Sequence, residues 1–242
     1  MANCFVETSI SRGVSAVIEY AYATKNAAAI IGPPGIGKTV ALEHIAKNDW
    51  NANYIRISAA QGTVRAAFRL LADVFGIGRE RRESADSLWR GLEDYFSGAA
   101  GYLLVDEAQQ LDLAVLKELV DLPSRFCFPV VVCGNADLLK RTQVGRGAYE
   151  QIASRCAKRL VLTAPLDEDF LAIAMNFDVC AADARAAAIS YGQNTSIREL
   201  VQLLEDARAF VGKGPLKLSD LRQTAVNTKG GSHALKLLTQ AA

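Results

Sequence analysis

The chain has 242 residues, of which 50% are hydrophobic, 22% charged and 7% aromatic. This composition excludes a disordered, collagenous or disulfide-knotted protein and leaves enough apolar side chain for a sizeable core. Lys and Arg number 27 against 26 Asp and Glu, a formal net charge of +1, so any surface for a polyanion must be a local cluster.

In chain order, Phe5-Val6-Glu7-Thr8 leads into a first helix. Ala27–Ile31 is a short apolar run ending in Gly-Pro-Pro-Gly, the pattern of a buried strand entering a loop. Val40–Lys47 reads as helix, and Tyr54-Ile55-Arg56-Ile57 alternates as a strand does. Val64–Phe75 has helical period and stops at Gly76. Ser84 caps a helix reaching about Phe96, with Asp86 in its first turn. Tyr102–Val105 is a second wholly apolar strand. Asp112 is expected to cap a helix through Val120, with Pro123 following it. Pro129–Cys133 and Arg159–Leu162 read as further strands. Apolar strands separated by helices imply a parallel sheet covered by helices on both faces. Beyond Pro165 only helices are expected, at about 167–175, 181–191, 196–211, 218–228 and, more weakly, 232–240. Thr195 with Glu199 signals the start of the third. The expected domains are therefore 1–165, α/β, and 166–242, all helical.

Gly32-Pro33-Pro34-Gly35-Ile36-Gly37-Lys38-Thr39 fits G-x-x-x-x-G-K-[ST] between a strand and a helix. Glycines let backbone N–H groups turn inward around phosphates at the positive end of the following helix. Lys38 has the reach for the β- and γ-phosphates, and the Thr39 hydroxyl is a ligand for Mg²⁺. About 70 residues on, the strand Tyr102-Leu-Leu-Val ends in Asp106-Glu107. Two carboxylates at that edge suit a metal-holding residue, Asp106, and a water-polarising one, Glu107. Asn135 leaves the next apolar strand and is placed to orient water or sense the γ-phosphate; the plainer reading is a turn Asn after Gly134.

A phosphate loop, a strand ending in Asp-Glu and an Asn one strand later resemble Walker A, Walker B and sensor-1 of the AAA+ ATPases. The resemblance implies a P-loop AAA+ sheet followed by a small helical lid, with ATP and Mg²⁺ as cofactors. It also implies that Arg155, before the last strand, is an arginine finger reaching a neighbouring subunit. Arg198, early in a C-terminal helix, resembles sensor-2. The run Asp106-Glu107-Ala108-Gln109-Gln110-Leu111 is similar to the group containing the phage Mu B transposition protein, TnsC and TniB, as is Phe5–Thr8. What that group implies is an ATP hydrolase that assembles as a ring or helical filament on duplex DNA, without sequence preference. It would deliver that DNA to a DDE-type transposase. With the phosphate loop beginning at position 32, an added N-terminal DNA-binding domain of the phage Mu kind is not expected.

Apart from the resemblance, the residues offer local basic clusters as candidates for DNA contact, the plainer reading of each being a solvated charged face. Arg79, Arg81 and Arg82 form one, and Lys140, Arg141 and Arg146 another; with no helix-turn-helix or zinc-finger pattern, backbone tracking is the expected mode. Two other AAA+ readings stay open, a replication initiator or helicase loader and a slow-hydrolysing nucleotide-dependent scaffold. A small-molecule kinase fits Arg155 and Arg198 less well. The five scattered cysteines make no C-x-x-C pair and read as reduced thiols. The start shows no basic region followed by an apolar stretch, and no run approaches the ~20 apolar residues of a membrane span. A cytoplasmic protein is expected.

Overall fold

The computed structural model describes residues 5–77, 83–140, 155–227 and 231–240. Five strands form one all-parallel sheet: β1 (Ala27–Ile31), β2 (Ala52–Arg56), β3 (Tyr102–Asp106), β4 (Val130–Gly134) and β5 (Cys156–Val161), in spatial order β2-β3-β4-β1-β5. The three central strands, β1, β3 and β4, are buried at every residue. This is why they read as unbroken apolar runs rather than as alternation. The edge strands β2 and β5 are partly exposed, and their sequences carry Asn, Arg and Lys.

Helix α1 (Ser9–Thr24) precedes β1, and α2 (Lys38–Asn48), α3 (Val64–Val74), α4 (Ala85–Phe96), α5 (Leu113–Phe126) and the short α6 (Asp137–Lys140) lie between successive strands. Side chains alternate across the sheet. Ala27, Ala29, Leu103, Val105, Val130 and Val132 face α3, α4 and α5, in a core that includes Phe68, Leu71, Leu92 and Leu119. On the opposite face Tyr22 of α1 meets the Tyr102 ring at 5.3 Å. Gly13, also of α1, lies so close to Leu160 that a Cβ would sit 3.3 Å from it.

Three local expectations need correction. Pro123 lies inside α5, which runs on to Phe126 and ends with Cys127 in the left-handed region at φ 55°. Leu116, Leu119, Val120 and Leu122 are buried, as is Pro123 itself, and that packing outweighs the lost backbone hydrogen bond. Asp112 precedes this helix without a side-chain capping bond. In the C-terminal region the cap is Ser196, not Thr195: its Oγ accepts from the Glu199 N–H at 3.2 Å.

Contacts divide the chain into two compact units. One comprises Gly13–Pro33 and Lys38–Leu162 and contains the sheet. The other comprises Met1–Arg12, Pro34–Gly37 and Thr163–Ala242. Its helices are α7 (Asp167–Asn176), α8 (Ala182–Asn194), α9 (Ile197–Val211), α10 (Leu218–Val226) and α11 (Gly231–Gln240). They enclose a second core of Phe170, Ile173, Leu200, Leu204, Leu221 and Leu238, against which Val6 packs. Asp169 explains how the first residues join this unit. It is 1% exposed, and it accepts hydrogen bonds from the N–H and hydroxyl of Ser9 and from the Leu166 N–H. A buried carboxylate needs such donors. Among the described residues no helix is long and apolar enough to cross a membrane. The described cysteines are all free thiols, Cys133 and Cys156 buried, Cys127 and Cys180 exposed.

Phe96 centres an aromatic cluster at one end of the sheet core, 4.9 Å from Phe128 and 5.1 Å from Phe75 between ring centroids. Phe96→Ala should lower stability by about 3–5 kcal/mol, read as an earlier urea midpoint followed by Trp89 fluorescence.

Candidate functional site

In a parallel sheet all strands end at the same edge, and that edge is where open α/β folds bind ligands. Here β1 leads into the phosphate loop, β3 ends at Asp106 and β4 ends at Gly134, with β4 between the other two. The register fixes the layout: Ile31 pairs with Gly134, and Arg56 of β2 pairs with Asp106.

The loop's conformation accounts for its glycines. Gly35 has φ +82° and Gly37 φ +99°, values that side-chain-bearing residues reach only with strain. Lys38 and Thr39 open α2. The Lys38 side chain is buried and folds back, its Nζ donating to the carbonyl oxygens of Gly32 and Pro33, each at 2.8 Å. Gly32, Pro33, Pro34, Gly35, Ile36 and Gly37 thus form a compact turn ahead of the helix, as the motif requires.

Thr39 Oγ1 donates to Asp106 Oδ2 at 2.7 Å. Asp106 is 1% exposed. Its Oδ2 also accepts from the Tyr54 hydroxyl at 3.3 Å, and its Oδ1 from the Glu107 N–H at 2.9 Å. Burial, with Asp106 adding to it, pushes the Tyr54 phenol above its ordinary range, so it remains a donor. Burial likewise raises the thiol of Cys133, beside Asp106. A hydroxyl and a carboxylate in contact are the oxygen-only donor set that suits Mg²⁺. Thr39 and Asp106 therefore fit that ion; no group of three or more Asp, Glu, Cys or His side chains placed to hold a metal occurs among the described residues.

Glu107 lies in the left-handed region, at φ 56° and ψ 35°. A non-glycine residue there costs of order 1–2 kcal/mol, and such outliers cluster at functional sites. Its Oε2 accepts from Gln109 Nε2, and its Oε1 stands 4.0 Å from the Arg56 guanidinium. Asn135 adopts the turn that its plainer reading suggests. Its Oδ1 accepts from the Asp137 N–H at 2.8 Å, and its own N–H donates to Gln109 Oε1 at 3.4 Å. It nevertheless leaves β4 beside the β3 carboxylates. Tyr54 and Arg56 carry no sequence signal as site residues, and Gln109 enters only as a member of the run Asp106–Leu111; their place beside the Asp-Glu pair is what marks them.

Arg155 immediately precedes β5 and forms an exposed ion pair with Asp121 of α5. Arg198 is the second residue of α9, with an exposed side chain. Its N–H donates to the Gly35 carbonyl at 3.0 Å, and it lines a cleft with Pro34, Gly35, Thr195, Ser196 and Glu199. A Cβ on Gly35 would lie 3.0 Å from Ser196 Oγ, a second reason for glycine there. Of the DNA candidates, Arg79, Arg81, Arg82, Arg141 and Arg146 lie outside the described residues. Lys140 is the last residue of α6, and its side chain is also outside them.

Comparison with known proteins extends this geometry. DNA transposition protein B of the Mu-like prophage FluMu of Haemophilus influenzae is 28% identical over 176 residues, covering 72% of this chain and 61% of that protein. The ATP-dependent target DNA activator B of Escherichia phage Mu is 29% identical over 172 residues, 70% of this chain and 55% of that protein. The chain thus spans less than two thirds of either relative. The fold is similar to that of the Aeropyrum pernix ORC2 protein, solved in ADPNP and ADP complexes. That likeness has a TM-score of 0.70 and 18% identity, covering 94% of this chain and 70% of that one. The family model described as AAA domain matches residues 21–142, from the end of α1 past the Asn135 turn, and the chain belongs to that family.

Proposed function

We propose that this chain is an ATP hydrolase that assembles on duplex DNA, without sequence preference, and delivers that DNA as target to a DDE-type transposase. The observation that carries the ATPase reading is the 2.7 Å contact between Thr39 of the phosphate loop and Asp106 at the end of β3. It joins the two halves of a nucleotide site at one sheet edge. The names of the two B proteins, a DNA transposition protein and an ATP-dependent target DNA activator, support the transposition reading. They favour it over the replication-initiator reading, for which the ORC2 likeness supplies fold alone.

In this reading the loop N–H groups from Gly35 to Thr39 receive the phosphates, and Lys38 exchanges its two carbonyl partners for phosphate oxygens. Thr39 and Asp106 would hold Mg²⁺, which when bound neutralises charge on the phosphates. Glu107 polarises the attacking water, and Asn135 stands beside it at the end of β4. Arg155 acts on the site of a neighbouring copy in a ring or helical filament. Its pairing with Asp121 is an exposed one of small net worth, which a multiply charged phosphate displaces. Arg198 answers to nucleotide, in the sensor-2 role that the AAA+ resemblance implies. Duplex contacts come from the basic clusters at 79–82 and 140–146.

Lys38→Ala removes a cation from the phosphates and should weaken ATP binding at least about tenfold, ~1.4 kcal/mol, by calorimetry. Glu107→Gln should retain that affinity while hydrolysis falls about a hundredfold or more. Arg155→Ala should be inactive as a pure assembly and regain hydrolysis when mixed with Lys38→Ala protein, because mixed junctions join an intact loop to an intact finger. Full activity of Arg155→Ala alone removes it from the site. For DNA, fluorescence anisotropy should show binding only with ATP present. Affinity should fall with a slope of about −0.9 per phosphate contact in log K against log salt, and exchanging one random duplex for another should change it little. Binding insensitive to salt, or no binding with ATP present, points to the scaffold reading instead.

A further inference from the structure

The turn after β3 reads Asp106-Glu107-Ala108-Gln109-Gln110-Leu111, and its members beyond the acidic pair have separate places. Ala108 and Leu111 are buried in the sheet core. Gln109 is also buried, 7% exposed, although glutamine is rarely inside unless its carboxamide is satisfied. It is satisfied by two different parts of the site. Nε2 donates to Glu107 Oε2 at 2.5 Å, and Oε1 accepts from the Asn135 N–H at 3.4 Å.

The two partners demand opposite things. A carboxylate only accepts and a backbone N–H only donates, so the bridge needs a donor at one end and an acceptor at the other. An amide has both; a carboxylate or an apolar chain of the same length does not. The space is reserved as well. A Cβ on Gly134 would lie 2.5 Å from Gln109 Oε1, so β4 ends in glycine where the carboxamide passes. Glu107 is thereby held at one oxygen by Gln109, while Arg56 faces the other at 4.0 Å. A flexible glutamate that must aim one water gains rate from being held.

We propose that Gln109 is a positioning residue for hydrolysis. Its carboxamide fixes the Glu107 carboxylate and ties it to the backbone of Asn135, so that the ends of β3 and β4 move together around the water. This rests on the reading that Glu107 polarises the attacking water.

The test measures ATP affinity by calorimetry and kcat and KM for hydrolysis in Gln109→Met, Gln109→Glu, Glu107→Gln, Gly134→Ala and the Gln109→Met/Glu107→Gln pair. Gln109→Met keeps the length and removes both hydrogen bonds. Gln109→Glu keeps the acceptor for Asn135 and sets oxygen against oxygen at Glu107. Both should hold ATP affinity within about twofold while kcat falls about tenfold to a hundredfold. The Glu variant should fall at least as far as the Met variant. On the Glu107→Gln background Gln109→Met should change the residual rate by less than about twofold, since it acts through Glu107. Gly134→Ala presses the carboxamide from β4 and should reproduce the kcat loss without touching the Gln109 side chain, so it decides the matter if Gln109→Met does not fold. An unchanged or raised kcat in Gln109→Met, a full further loss on the Glu107→Gln background, or Gln109→Glu matching wild type while Gln109→Met fails would each overturn the proposal. Full hydrolysis by Glu107→Gln would instead overturn the reading beneath it.

Discussion

Asp106 is the constraint around which the sheet edge is organised. A carboxylate this deeply buried is tolerated only if its oxygens are met by donors. The donors arrive from the start of α2, the middle of β2 and the next residue of its own chain. Thr39 can reach it only because the loop turns tightly enough to start α2 beside β3. Tyr54 can reach it only because β2 and β3 pair with Arg56 opposite Asp106. The phosphate loop, the strand order and the acidic pair are in this sense one structure. Displacing any of them strips a buried carboxylate of one of its donors.

The same edge explains why β4 lies between β1 and β3. Its residues are as apolar as theirs, yet its last residue has no side chain and the following Asn folds its own side chain back onto α6. β4 therefore supplies backbone groups and room, whereas β3 supplies charge and β1 supplies the loop. The chemistry proposed here divides along those lines.

Much of this was legible in the sequence because burial on two faces writes itself plainly. Ala27–Ile31 and Tyr102–Val105 are runs that only an interior strand needs, and the phosphate loop's glycines are dictated by backbone angles. What was not legible depended on distance in the chain. Pro123 signalled a helix end locally, but the packing of Leu119, Val120 and Leu122 carried α5 through it. Ser196 rather than Thr195 caps α9, a one-residue distinction that composition does not make. The Asp121 partner of Arg155, the Ser9 donors to Asp169 and the Asn135 contact of Gln109 join residues dozens to more than a hundred and fifty positions apart. No local pattern encodes them. Nor does the loop's sequence announce that Pro34–Gly37 clusters with the helical unit.

Glu107 carries a consequence for how this protein tolerates change. At φ 56° its backbone prefers glycine or asparagine. A chain shaped for stability alone would place one of them there. Glutamate at this position exchanges folding free energy for a charged group at the sheet edge, the familiar compromise between robustness and activity. Stabilised variants gathered by any screen blind to turnover will therefore tend to accumulate at position 107, and their greater stability will mark the loss of the side chain that the site was built to present.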